Sequence, residues 1–507
     1  MNHEQFQAML DDLAREAGVG QEVLGEVLAR VSLKAPEETS RIEIAAGNPA
    51  ARRPVDQRAI PQGTVSKTVR ELKKEGLLED GEKLLRSPDG RLLEPLRLGS
   101  RYTIAGVKVT QSREQPRQVT TALFGLDGSR VLGTTRHPVG DWDQAAEVIH
   151  DHVASLKSAC DQKRAACELE PSRMLGVGIE IGSPVHNGEV MPHLSDRSRP
   201  PIALAASLHR LFEADPSFGQ PVPVIVENDV NALAVLAIHQ AHYAEPDLVV
   251  VGVFEEGVGG GLVMDGRLRR GGNGRAMEIG HLAVGFPPGQ QEQPDPHDPG
   301  LKALSAGLPD FYTRCWCGHF GHVDTLATPR RIQGMLGDVP LNQLGEIDSR
   351  DPQFKHAQDV FARSGAALGR ALAHVSNTVD PSRVITYLPG PLAHPKPGTA
   401  AAAYLSAMRQ EIASAFAAGN NGSYLKIEPF PEDLALLGAK AAAVCVLESF
   451  IEHALRLDGC TTTLRRPSTN TGSLPVLHLM HSESIVPDTV PLPSVRHAVP
   501  GPVSGTG

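Results

Sequence analysis

The chain has 507 residues, too many for one hydrophobic core, so about three domains, or two large ones with appendages, are expected. Its net charge of −10 at 41% apolar content excludes a chain that is basic throughout, as a simple nucleic-acid coat would be. No run of about 18 apolar residues is read, and Met1 to Arg15 carries charges throughout instead of forming an apolar leader, which predicts a cytosolic protein.

In chain order, Glu4 to Ala17 and Gln21 to Val31 read as helices from their three- and four-residue apolar spacing. They belong to an N-terminal extension, 1–34, to which the sequence assigns no task. From 35 to 98 the pattern is helix, interruption, helix, hairpin. The first helix spans Glu38 to Ala46. Fourteen Pro- and Arg-rich residues, Gly47 to Ile60, then stand where a helix-turn-helix has roughly 3 to 4, and are read as an insertion.

Pro61 to Gly76 opens on Pro and closes on Gly, as a capped helix does. Val65, Val69 and Leu72 form its buried stripe, which leaves Thr64, Ser66, Lys67, Thr68, Arg70 and Lys73 facing outward. Hydroxyls and cations of this kind suit phosphates and base edges in a major groove. Glu82 to Leu98 supplies two strands around Ser87-Pro88-Asp89-Gly90, with Arg86, Arg91 and Arg97 along it, and the whole reads as a winged helix-turn-helix. Charge agrees: Ala51 to Arg101 holds twelve Lys or Arg against eight Asp or Glu, a net of +4, leaving −14 for the rest. A solvated surface would give the same count.

From 99 to 457 strands and helices alternate, which implies an α/β body. Strands are expected at Tyr102 to Thr110, Gln118 to Phe124, Gly128 to Arg136, Leu175 to Ile181, Val222 to Val226, Leu248 to Phe254 and Arg383 to Leu388, with a helix at Gly365 to Val379. Pro287 to Pro309 is a polar insertion, and 458–507 lacks periodicity and reads as a disordered tail.

Four segments of the body can carry chemistry. Val226-Glu227-Asn228-Asp229-Val230-Asn231 puts a carboxylate at the end of a strand, where α/β sheets bind ligands, although Asn228 or Asp229 can equally be a helix cap. Glu255-Glu256-Gly257-Val258-Gly259-Gly260-Gly261 can cradle phosphate or form a tight hairpin. The third segment is Met277-Glu278-Ile279-Gly280-His281, and the fourth is Cys315-Trp316-Cys317-Gly318-His319-Phe320-Gly321-His322-Val323-Asp324. Six cysteines are too few for a disulfide scaffold, so the thiols of the fourth segment, with its imidazoles, are either zinc ligands or buried free cysteines.

In this order the segments resemble the ROK family of repressors, open reading frames and sugar kinases, over roughly Ser100 to Leu457. The resemblance implies a two-lobed actin/hexokinase-like body behind the winged helix-turn-helix. It implies sugar contacts from Asn228, Asp229, Glu278, His281 and Asp324, with Asp229 as the general base of a kinase. It implies a structural zinc on His281, Cys315, Cys317 and His322, the last standing where the family has a third Cys; Asp324 stands where it has Glu. Kinases of the family open the body with Asp-x-Gly-Gly-Thr-Lys, and here the matching place reads Thr103-Ile104-Ala105-Gly106-Val107-Lys108-Val109.

Glu255 and Glu256 precede the second phosphate loop, and a carboxylate about 4 Å from a phosphate oxygen costs up to about 4 kcal/mol. No ATP binding and no catalysis are therefore expected. The reading is a sugar-responsive regulator, a dimer or tetramer on a double-stranded DNA operator with a sugar effector and no membrane partner. The alternatives are a sugar kinase with a fused accessory domain, and a DNA-binding scaffold with a decayed pocket, for which Gly182-Ser183 in place of the family's usual Pro-Gly speaks.

Overall fold

A computed structural model of the protein describes residues 2–32, 34–35, 37–47, 57–82, 85–86, 90, 92–110, 116–192, 200–241, 247–284, 314–415 and 424–455. Arg91, the insertion 287–309 and the tail from Asp458 lie outside the described residues.

Helices α1 (Asn2–Ala17) and α2 (Gln21–Ser32) form where the apolar spacing places them. Strand β1 (Thr39–Ser40) leads into α3 (Arg41–Ala46) through a capping box. The Glu43 N–H donates to the Ser40 hydroxyl at 3.3 Å, and the Ser40 N–H donates to the Glu43 carboxylate at 2.9 Å. Helix α4 (Gln62–Glu75) follows Pro61 and stops at Gly76, a left-handed residue whose N–H closes the last turn.

Strands β2 (Leu78–Asp80), β3 (Leu85–Arg86), β4 (Leu92–Leu93) and β5 (Pro95–Leu98) follow. β5 is central in an antiparallel sheet, between β1 and β2, while β3 and β4 pair as a two-residue ribbon beyond it. The hairpin expected over Glu82 to Leu98 therefore begins earlier, at Leu78. The reason is burial: Leu78, Leu96 and Leu98 enter the core, whereas Leu92 in the ribbon is 62% exposed and has no core to hold it.

The body holds two five-stranded sheets. The first runs β12-β9-β6-β7-β8, from β6 (Tyr102–Thr110), β7 (Arg117–Gly125), β8 (Arg130–Val139), β9 (Arg173–Ile181) and β12 (Val224–Asn228). β6, β9 and β12 are parallel, and β7 and β8 form an antiparallel meander. Between β9 and β12 lie a small hairpin, β10 (Val185–His186) with β11 (Glu189–Val190), and a helix, Leu204–Ala214.

The second sheet runs β15-β14-β13-β16-β17, from β13 (Leu248–Val253), β14 (Val258–Met264), β15 (Arg267–Leu268), β16 (Arg383–Leu388) and β17 (Leu425–Pro429). Helix α5 (Trp142–Ala166) covers the first sheet, and α6 (Asp229–Gln240) follows β12 directly. The helix expected from Gly365 begins eleven residues earlier, so that α7 runs Phe354–Val379; Ala357, Val360 and Phe361 extend its buried stripe. α8 (Ala402–Ala415) packs beside it.

Helix α9 (Leu434–Leu455) runs along the first sheet and reaches the N-terminal helices. It is long and apolar enough to cross a membrane, yet it is a core helix, with 67% of its most apolar window buried. It lies flush on β6 and β9 because Gly106 and Gly178 leave room for its Ala439 and Ala442 carbonyls. At its far end Ala454 meets Gly25 of α2, where an added Cβ would stand 2.8 Å from the Ala454 Cβ. Phe6, Leu10, Leu24 and Leu28 thus share one apolar cluster with Ile44, Val65, Val69 and Leu72 and with Tyr102, Phe124, Phe450 and Ile451. Arg173 of β9 adds a polar tie, donating to Glu75 of α4 at 2.7 Å and to the Tyr102 hydroxyl at 3.3 Å.

Candidate functional site

Two places gather chemistry. The first is the outer face of α4, where Gln62, Gly63, Ser66, Lys67, Arg70 and Lys74 are exposed over the buried Val65, Val69 and Leu72. Three of the expected outward residues are corrected. Thr68 is buried and donates to the Thr64 carbonyl at 3.0 Å, because it stands beside the Val65–Val69 stripe and a threonine can satisfy its hydroxyl within its own helix. Lys73 is half-buried and ion-paired with Asp80 at 2.5 Å. Thr64 is half-buried, and Arg70 is exposed beside Glu71 at 3.1 Å. Gln62 on the first turn was not among the expected residues, though its place just after the helix-opening Pro61 was legible.

The second place is the C-terminal ends of β6, β9 and β12, the edge at which an α/β sheet forms its ligand crevice. Parallel pairing sets Lys108 beside Glu180, and Asn228 beside Ile181, so Lys108, Glu180 and Asp229 converge. The Lys108 ammonium donates to Glu180 at 2.6 Å and stands 3.9 Å from Asp229 Oδ2. Burial pushes the Glu180 carboxyl up to about 7, against the pull of Lys108 and with the Asp229 charge adding to the rise. Asp229 is likewise raised by burial and lowered by Lys108. Neither Lys108 nor Glu180 was singled out as a site residue from sequence, because only strand pairing brings them together.

Asn228 caps α6: its Oδ1 accepts from the Val230 and Asn231 N–H groups at 3.1 and 3.2 Å, and its Nδ2 donates to the Ser183 carbonyl at 3.3 Å. Glu278 is raised by burial and by the Asp324 and Asp229 charges, with Arg275 opposing, which places these three acids within one field. Asp324 is tied to the neighbouring strand, its Oδ1 accepting from the Val258 N–H at 2.7 Å.

The glycine run forms a tight hairpin. Val253 pairs with Val258, Gly259 to Gly261 lie inside β14, and the Phe254 N–H donates to the Gly257 carbonyl at 2.8 Å. The glycines are needed because α6 lies against β14; an added Cβ on Gly261 would come within 2.7 Å of the Val230 carbonyl. At the tip, Glu256 pairs with Arg330 at 2.5 Å, and the Arg330 N–H donates to the Glu255 carbonyl at 3.1 Å.

His281, Cys315, Cys317 and His322 meet, with donor atoms all within 4.8 Å of one another. An isolated bridge between Ala283 and His322 aligns the two segments, and the Gly318 N–H donating to the Cys315 carbonyl at 2.8 Å folds the thiols into one turn. Cys315 Sγ is 3.6 Å from His281 Nδ1, Cys317 Sγ is 3.4 Å from His322 Nδ1, and the two Nδ1 atoms are 3.3 Å apart. Ordinary Zn–S and Zn–N lengths give tetrahedral edges of about 3.3 to 3.8 Å, so the donor set fits a four-coordinate cation. Burial pushes the Cys315 thiol up to about 12 and holds His322 below its ordinary value.

The Nε2 of His281 faces the other way, 4.0 Å from both Glu278 and Asp324, so one ring joins the His/Cys cluster to the acids. None of the five described cysteines, Cys160, Cys167, Cys315, Cys317 and Cys445, forms a disulfide.

The sequence profile of the ROK family matches residues 120–443. The chain belongs to the ROK family. Among ROK relatives, an N-acetylmannosamine kinase of Escherichia coli O1:K1 / APEC is 32% identical over 266 residues, covering 52% of this chain and 76% of the relative. The DNA-binding transcriptional repressor Mlc of Escherichia coli strain K12 is 26% identical over 210 residues, 38% of this chain and 43% of that protein. A crystal structure of a ROK family transcriptional regulator, a homologue of the E. coli Mlc protein, superposes with a TM-score of 0.55 at 19% identity, covering 86% of this chain and 98% of that one. The family therefore includes both kinases and regulators.

Proposed function

We propose that this ROK protein is a DNA-binding transcriptional regulator whose operator binding is set by a sugar. Residues 35–98 are assigned to a winged helix-turn-helix, 1–34 to a helical extension that shares its core, and 99–457 to the sugar-binding body. The order α2, β1, α3, α4, β2, β5, with β3 and β4 as a wing, supports this assignment. The observation that carries the reading is the open face of α4, with Ser66, Lys67 and Arg70 exposed on a helix whose other side is welded to the body. The protein acts in the cytosol, as a dimer or tetramer on a palindromic operator.

Asn228, Asp229, Glu278, His281 and Asp324 are assigned to the sugar, and the metal is assigned as structural zinc. Zinc there fixes the turn 315–322 and the His281 ring, and so sets the acids that His281 faces. Sugar that binds one closure state of the lobes better than another shifts that state's population, and α9 touches both the crevice and α2.

The kinase reading is favoured by Asp229 and by the kinase relatives. Against it stand Thr103 and Val107, where the kinase motif has Asp and Thr, and the two acids at the tip of the 254–257 hairpin. Two measurements test the proposal. The first is a mobility shift on duplex DNA from the protein's own upstream region, with D-glucose or N-acetylmannosamine added; retarding no duplex sinks the regulator. The second is incubation with ATP and the same sugars, where sugar phosphate formed with turnover makes it a kinase.

A further inference from the structure

Glu180 and Asp229 lie at the ends of neighbouring parallel strands, both within 4 Å of the Lys108 ammonium. Paired carboxylates at such a place are what a magnesium or manganese ion binds. Here the positive charge belongs to the chain. Lys108 is held there by structure: it pairs in register with Glu180, its side chain is only 12% exposed, and its stem lies over Gly438 of α9, where an added Cβ would stand 2.9 Å from Lys108 Cδ.

We propose that Lys108 is a positioning residue that stands in for a divalent cation, fixing Glu180 and Asp229 so that Asp229 meets the ligand as a stationary hydrogen-bond acceptor. The inference rests on reading the crevice as the sugar site. Three features make the substitution effective. An ammonium is a compact point charge, so it fills the space an ion would take. It repels a second cation. The Asp229 Oδ1 accepts from the Val230 N–H at 2.9 Å, which together with Lys108 leaves the carboxylate capacity for ligand hydroxyls but no freedom to turn. Sugar binding should then need neither a divalent metal nor a nucleotide, and the specificity of the crevice is for an uncharged polyol presented to a preset carboxylate.

The test uses the full-length protein as purified, at pH 8, titrated with Mn²⁺ and followed by the paramagnetic resonance of the free ion. Wild type and Lys108→Arg should show no Mn²⁺ site that depends on Asp229. Lys108→Ala, which leaves the two carboxylates without their cation, should gain one, at least about tenfold tighter than anything in wild type, and Lys108→Ala with Asp229→Asn should lose it again. A Lys108→Ala protein that binds Mn²⁺ no better than wild type overturns the proposal. Should that variant not fold, wild type decides: Mn²⁺ binding that Asp229→Asn abolishes, or a tenfold rise in sugar affinity on adding Mg²⁺, overturns it equally. DNA retardation without the Mn²⁺ exchange removes this inference alone, and the exchange in a protein that binds no DNA removes the regulator alone.

Discussion

Lys67 and Arg70 project from consecutive turns of one exposed helix face, three residues apart, while Thr68 between them turns inward. Replacing both cations with Ala should weaken DNA binding evenly across sequences and lower the slope of log affinity against log salt by about 1 for each cation that had neutralised a phosphate, measured by fluorescence anisotropy. Thr68→Val should leave that slope unchanged. In the crevice, two carboxylates share one ammonium, and burial favours the protonated form of Glu180. Glu180, ordinarily near 4.5, titrates at about 7 in the folded chain. Between those values the folded state holds a proton that the unfolded chain has released. The stability from that proton is complete below about pH 4.5 and is lost as pH rises through about 7. Glu180→Gln should flatten this stretch of the melting temperature against pH, relative to wild type.

At the scale of elements, the 315–322 turn and the glycine hairpin show how far local sequence goes. Two thiols one residue apart, followed by a glycine and the imidazoles of His319 and His322, offered either zinc ligands or buried free cysteines, and the family resemblance added His281; the donor atoms of His281, Cys315, Cys317 and His322 do converge. Cys317→Ser, or a chelator applied to wild type, should lower the melting temperature and reduce the bound metal from one ion per chain, read by elemental analysis and calorimetry together. The glycine run announced a phosphate cradle and a hairpin equally, and β14 with α6 packed against it decided for the hairpin. Asn228 was legible both as a ligand residue and as a cap. Its side chain does cap α6, because β12 hands the chain directly to that helix. Lys108 and Glu180 were illegible because 72 positions separate them, and only parallel pairing makes them neighbours.

For the whole molecule, the decisive feature is that the N-terminal head, up to Leu98, and the first lobe share one apolar cluster through α9. A shared core makes separate melting unfavourable. Scanning calorimetry should therefore give a single transition for head and first lobe, and Phe450→Ala should destabilise both together by about 3 to 5 kcal/mol. A head transition that survives unchanged in that variant refutes the shared core. The periodic helices, the buried strands and the Cys315–Cys317 turn were legible in the sequence because each depends on residues close along the chain, whereas His281 entered the ligand set only through the family resemblance, 34 positions from Cys315. That 1–34 joins the head to α9, that the glycines serve packing, and that an internal lysine pairs with the crevice acids is visible in the assembled fold alone. Each of these depends on which strands and helices lie side by side, and the distance along the chain carries no record of that.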